Sequence, residues 1–139
     1  MIKNWFNKYK MLDDDEKEVY FQYVLDEEQQ LLILDYERFK DAIRLLSIDT
    51  SKLEKELCGD LINVADEVAL NFDDEGYRIG HTLLEHKCIE RDIYNKVVHI
   101  NELLASIDNE DVNWTTHAMN NDERWLKARE LAKQLIIRL

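Results

Sequence analysis

The sequence predicts an all-α protein, an up-and-down bundle of five to six helices forming one domain over residues 1–139. Three observations carry this. The chain has no proline and only three glycines, Gly59, Gly76 and Gly80, so helix breakers and turn formers are scarce. Apolar residues recur at helical spacing over most of the length. No segment alternates apolar with polar for long enough to make a half-buried strand. A chain of this size buries about two-thirds of its unfolded surface and needs neither disulfide nor metal to fold.

The first helix is short and falls near residues 2–11, with Trp5 as its anchor. A second starts near residue 14. Asp13 is its N-cap, and acids fill the first turn, where the helix dipole favours them. It either runs on to about residue 47 or breaks near Asp26. Ser51 and Glu54 have capping-box spacing, and Leu53, Leu57, Leu61, Val64 and Val68 follow on one face. Asp73-Asp74-Glu75-Gly76 then reads as a loop. Beyond it, Ile79, Leu83, Ile89, Ile93, Val97, Ile100 and Leu104 define a long helix ending near Ser106. The stretch IDNEDVNWTTHAMNN is polar and breaks the period, so it reads as a loop with room for one helical turn. Asn120 and Glu123 offer a second capping box. The last helix places Trp125, Ala128, Ala132, Leu135 and Ile136 on one face. Cys58 and Cys88 lie symmetrically about the expected turn at Asp73, which predicts neighbouring core thiols rather than a cystine.

The net charge is −12, from 18 basic and 30 acidic residues. Binding to nucleic acid or to an anionic membrane surface needs a basic face, so neither is expected. A strongly acidic chain attracts basic proteins instead. The charge is blocky: residues 13–37 hold ten acids and one base. With a turn at 73–76, one end of the bundle would collect Asp26, Glu27 and Glu28 with Asp73, Asp74 and Glu75. Asp14, Asp15 and Glu18 would extend it. The other end would hold Asp108, Glu110 and Asp111, partly neutralised by Arg124 and Lys127. Within DDDEKEVYFQYVLDEEQQ, residues 13–30, three aromatics interrupt the acids. Tyr20, Phe21 and Tyr23 point in different directions at about 100° per residue, so one core stripe cannot bury all three. Phe21 fits the core, which leaves Tyr20 or Tyr23 at the boundary as interface residues.

Catalytic and metal-binding patterns are missing from the chain. There is no E-x-x-H for a di-iron bundle, no E-x-x-E or E-x-x-D for a magnesium pyrophosphohydrolase, and no His-Asp dipeptide. His81-Thr82-Leu83-Leu84-Glu85-His86 is one residue too long for the H-x-x-E-H zinc pattern, and it reads as a surface His81–Glu85 pair with His86 half-buried. No G-x-S-x-G and no glycine-rich phosphate loop occurs. MIKNWFNKYK lacks the apolar core of a signal peptide, and no run approaches the roughly 18 apolar residues of a membrane span. The expectation is a cytoplasmic protein with reduced thiols, no cofactor, no metal and no small-molecule ligand.

The C-terminal segment VNWTTHAMNNDERWLKARELAKQLI, with its run Trp125-Leu126-Lys127-Ala128-Arg129, resembles the close of small helical bacterial immunity proteins that neutralise contact-dependent or other polymorphic toxins. The resemblance covers residues 112–136 and brings no catalytic residues with it. It implies an acidic immunity or antitoxin protein that binds and occludes a basic toxin domain, often a nuclease, and carries out no reaction of its own. The partner-binding candidates are Asp14, Asp15, Glu18, Tyr20, Tyr23, Asp26, Glu27, Glu28, Asp73, Asp74 and Glu75. A helical adaptor or regulatory subunit using an apolar groove is the alternative, and a helical hydrolase with a metal site invisible to linear motifs is a third.

Overall fold

Acidic caps divide the N-terminal third of the chain. Asp13 accepts a hydrogen bond from the Glu16 amide at 2.8 Å, and Glu16 reaches back to the Asp13 amide at 3.2 Å. Asp26 and Gln29 repeat the reciprocal arrangement at 2.8 and 3.0 Å. Each box satisfies backbone donors that a helix start leaves open, so each starts a new helix. The stretch 14–47 is therefore two helices, broken near Asp26. The computed structural model describes residues 1–57, 63–108 and 110–139.

Among these residues the chain forms eight helices and no strand. They are α1 (Asn4–Met11), α2 (Asp14–Tyr23), α3 (Glu27–Ser47), α4 (Thr50–Glu56), α5, α6 (Arg91–Ala105), α7 (Thr116–Asn121) and α8 (Glu123–Arg138). Helix α5 is continuous through Val64–Asn71, a π-helical stretch Phe72–Arg78, and Ile79–Glu85. A single 3₁₀ turn, Asp111–Asn113, precedes α7. The all-α expectation is met, with eight helices rather than five to six.

The four long helices alternate in direction around one core. Glu28 lies 3.7 Å from His86 while Phe39 packs on Gly80, so α3 and α5 are antiparallel. A Cβ at Gly80 would come within 3.1 Å of the Phe39 ring, so this glycine lets the two helices approach. Tyr77 of α5 stacks on Tyr94 of α6 at 6.3 Å, and Asp73 lines a groove with Leu104 from the far end of α6. Helices α6 and α8 are joined by Asp92–Arg138 at 2.8 Å and by Arg124 donating to the Ser106 carbonyl at 3.0 Å. The Tyr36 hydroxyl donates to the Leu139 carbonyl at 2.8 Å and ties α3 to the end of α8. Phe6, Phe39, Phe72, Leu83, Ile100, Trp125 and Leu135 fill the centre with almost no exposure.

Several sequence expectations are corrected. Asp73-Asp74-Glu75-Gly76 is not a loop. Its residues are π-helical, Gly76 lies against the Phe72 ring, and neither Gly76 nor Gly80 takes a positive φ. The turn falls instead at 86–90, where Lys87 adopts φ 58° and the Lys3 amide donates to its carbonyl at 3.0 Å. The cap of α4 is Asp49, not Ser51, and the Ser51 hydroxyl donates to it at 2.6 Å. Asn120 lies inside α7, so the cap of α8 is Asp122. Cys88 is buried, and burial raises its thiol to about 11. Its expected neighbour Cys58 lies outside the described residues.

Asp122 supports a first prediction. Its carboxylate accepts from the Arg124 amide at 2.8 Å and pairs with the Arg124 guanidinium at 2.8 and 3.0 Å. The guanidinium hydrogen bond holds its pKa below the ordinary value of 3.8. A depressed folded pKa stabilises above the unfolded value, and that stabilisation is lost as pH falls through the folded one. Asp122→Ala should therefore cost about 1 kcal/mol at neutral pH. The gap from wild type should close as the pH drops below the ordinary carboxyl range, as read from urea midpoints across pH. A pH-independent gap would contradict this.

Candidate partner-binding surfaces

Helix α2 buries none of its residues. Lys8 lies 5.5 Å above the Tyr20 ring and Lys17 5.3 Å above Tyr9, while Gln30 donates to the Phe21 carbonyl at 2.7 Å. Leu25, just beyond the helix, plugs into the core. These contacts hold α2 on α1 and α3 by one side and leave the other to solvent. Tyr23 is 80% exposed, with Val19 and Val24 also open. Tyr20 and Phe21 are half-buried, so Phe21 packs against the core without being enclosed by it. An apolar groove of about 410 Å³ runs between α1 and α2, lined by Leu12, Val19, Tyr20 and Val24 and edged by Asp15, Glu16 and Lys8.

Asp14, Asp15, Glu18, Asp26, Glu27 and Glu28 are all exposed on α2 and the start of α3. The structure does not bring Asp73, Asp74 and Glu75 to them. The 73–75 block was expected at the 26–28 end because a turn was expected there. With α5 continuous, His86 meets Glu28, and Asp73–Glu75 lie about 15–20 Å further along the helix axis. Arg78 approaches Asp73 at 3.8 Å and Asp74 at 3.9 Å, exposed pairs that water screens. Glu75 turns inward, and its Oε2 is buried without a hydrogen-bond partner among the described residues. Only Asp74 of the three is exposed, the other two being half-buried.

The acids of 63–73 join a different block. Two adjoining grooves, of about 380 and 410 Å³, share Asp66 and Trp114. The first adds Ala69, Leu70, Asp73, Asn101, Leu104 and Ala105, and the second adds Asn63, Asp111 and Thr115. Trp114 is fixed from three sides. Its Nε1 donates to the Asp108 carbonyl at 2.7 Å, the Asn63 side chain donates to the Trp114 carbonyl at 3.0 Å, and its ring meets Trp125 edge-on at 5.7 Å. The sequence places Trp114 in the polar stretch 107–121 and singles out neither Asp66 nor Leu70. Leu70, 62% open on a face it shares with the exposed Asp66, Glu67 and Asp74, is an apolar residue out of register with Val64 and Val68, and that was the available signal.

His81 and Glu85 form the expected surface pair at 2.8 Å, and His86 is half-exposed. Among the described residues, no three His, Cys, Asp or Glu side chains converge as a metal site would need. No described helix is long and apolar enough to cross a membrane. No protein-family model, no curated protein and no solved structure matches the chain.

Proposed function

We propose that this protein is an acidic helical inhibitor of the immunity or antitoxin kind, which binds a basic toxin domain in the cytoplasm and occludes its working surface. The observation that carries the reading is the exposure of α2 and the start of α3: Tyr23 is 80% open, and Asp14, Asp15, Glu18, Asp26, Glu27 and Glu28 are all exposed. A toxin that acts on nucleic acid must present a basic cleft. Carboxylates spaced along a helix can take the places of phosphates in such a cleft, and an exposed tyrosine supplies the rigid anchor that most interfaces centre on. Occlusion asks for no bond to be made or broken, so the reading needs no cofactor and no nucleic acid.

The adaptor reading draws on the same helix. Leu12, Val19 and Val24 line an apolar groove that a partner helix could enter without charge pairing. Salt separates the two, because apolar docking survives salt that weakens charge pairing.

Tyr23→Ala tests the anchor. The residue is exposed and makes no core contact, so stability should be unchanged. Affinity for the partner bound by the wild-type chain should fall about thirtyfold, the effect of losing a central aromatic. Unchanged affinity, measured by calorimetry, would remove Tyr23 from the interface.

A further inference from the structure

We propose that the groove around Trp114 is a second docking site, which takes an arginine-bearing basic segment of a partner protein independently of α2. It rests on the proposed function only for the sign of the partner's charge. Three carboxylates line the joined grooves, Asp66, Asp73 and Asp111, and no basic residue does among the described residues; Arg78 approaches Asp73 alone, at 3.8 Å. Asp66 and Asp111 are exposed. Leu70 and Leu104 make the adjoining wall apolar, and Leu70 is 62% open to solvent. A lining of this kind matches a segment that offers a cationic head beside an apolar side chain.

Arginine fits better than lysine. Its planar guanidinium can stack on an indole while donating two parallel hydrogen bonds to a carboxylate. Trp114 is held in place beforehand by the Asp108 carbonyl and by Trp125, so little order is lost when a guest arrives. Of the groove residues that α5 supplies, Asp66, Ala69 and Leu70 are α-helical and Asp73 lies in the first turn of the π-helical stretch, a local geometry frequent at functional positions. Helix α2 runs beside the first two-thirds of α3, its Asp14 and Lys17 sharing a groove with Glu37 and Lys40, whereas α7, which follows Trp114, is tied beyond the end of α3 by Thr50 and Asn120. The two surfaces share no lining residue.

The probe is a fluorescein-labelled twelve-residue peptide alternating arginine and leucine, with a lysine–leucine version beside it. Binding is read by anisotropy at about 0.15 M salt, where charges more than about 8 Å apart are screened. The full chain is compared with Asp66→Asn/Asp73→Asn and with Asp14→Lys/Asp15→Lys/Glu18→Lys. The proposal expects the arginine peptide to bind the wild type more tightly than the lysine peptide. It also expects a loss of about tenfold in the Asp66/Asp73 variant and little change in the α2 variant. The Asn side chains keep the shape of Asp, and circular dichroism confirms that both variants fold. No binding by the wild type, or equal binding by the Asp66/Asp73 variant, overturns the proposal. Loss in the α2 variant alone overturns it too, while leaving the proposed function standing.

Discussion

Trp125→Ala should lower the stability of this protein by about 3–5 kcal/mol. The side chain is 1% exposed and is the largest of the fully buried groups. It sits in the first turn of α8 and closes the end of the core against α7 and the Trp114 segment. Truncation removes the apolar burial, opens a cavity, and strands the Asn113 carbonyl, which accepts from the indole Nε1 at 3.0 Å. It also removes the edge-on support of Trp114 at 5.7 Å, so the grooves should lose definition along with the core. Trp125→Phe loses the hydrogen bond and part of the ring volume but keeps most of the apolar burial, and its cost should be the smaller. Urea unfolding followed by circular dichroism measures both. A loss under about 1 kcal/mol for the alanine variant would mean that Trp125 is not the closing residue of the core.

Reversing Asp14, Asp15 and Glu18 to lysine should have the largest effect on binding. All three are exposed, and reversal changes the charge of α2 by six, two for each residue. Electrostatic steering contributes about 10- to 1000-fold to association rates and is sensitive to ionic strength. The variant should therefore associate about a hundredfold more slowly with a basic partner at low salt and only a few-fold more slowly at about 0.5 M salt. Lysines in the first turn also oppose the helix dipole. Asp14→Asn/Asp15→Asn/Glu18→Gln avoids that cost, leaves the Asp13–Glu16 box in place and should show the same trend at about half the size on a logarithmic scale. Stopped-flow mixing across a salt series gives the result. A rate that ignores both salt and variant would favour apolar docking in the groove beside Val19 and Val24.

The core was legible in the sequence because its signal is local. The helical period that picked out Leu53, Val64, Val68, Leu83, Ile93, Val97 and Ile100 picked out buried residues. Asp13 as a cap was legible for the same reason. Connectivity was not. Asp-Asp-Glu-Gly has the composition of a turn, yet Gly76 serves to clear the Phe72 ring within a helix. The real turn at Lys87 carries no glycine or proline and spends a positive φ on a lysine, so nothing in the composition marked it. That one displacement moved Asp73, Asp74 and Glu75 to the wrong end of the bundle. Exposure of a tyrosine in α2 followed from helix geometry alone. The Trp114 groove did not, because Asp66, Asp73, Leu104 and Trp114 come together only once α5 continues through residue 73 and Trp114 returns to its side.

The most direct test of the central claim is affinity capture from the native host. The tagged wild-type chain and its Asp14→Lys/Asp15→Lys/Glu18→Lys variant are run side by side, nuclease-treated, washed at low and at moderate salt, and read by mass spectrometry. The account predicts one stoichiometric protein with a basic domain on the wild type, released by moderate salt and missing from the variant. The same proteins on both baits, or none with a basic domain, would contradict it.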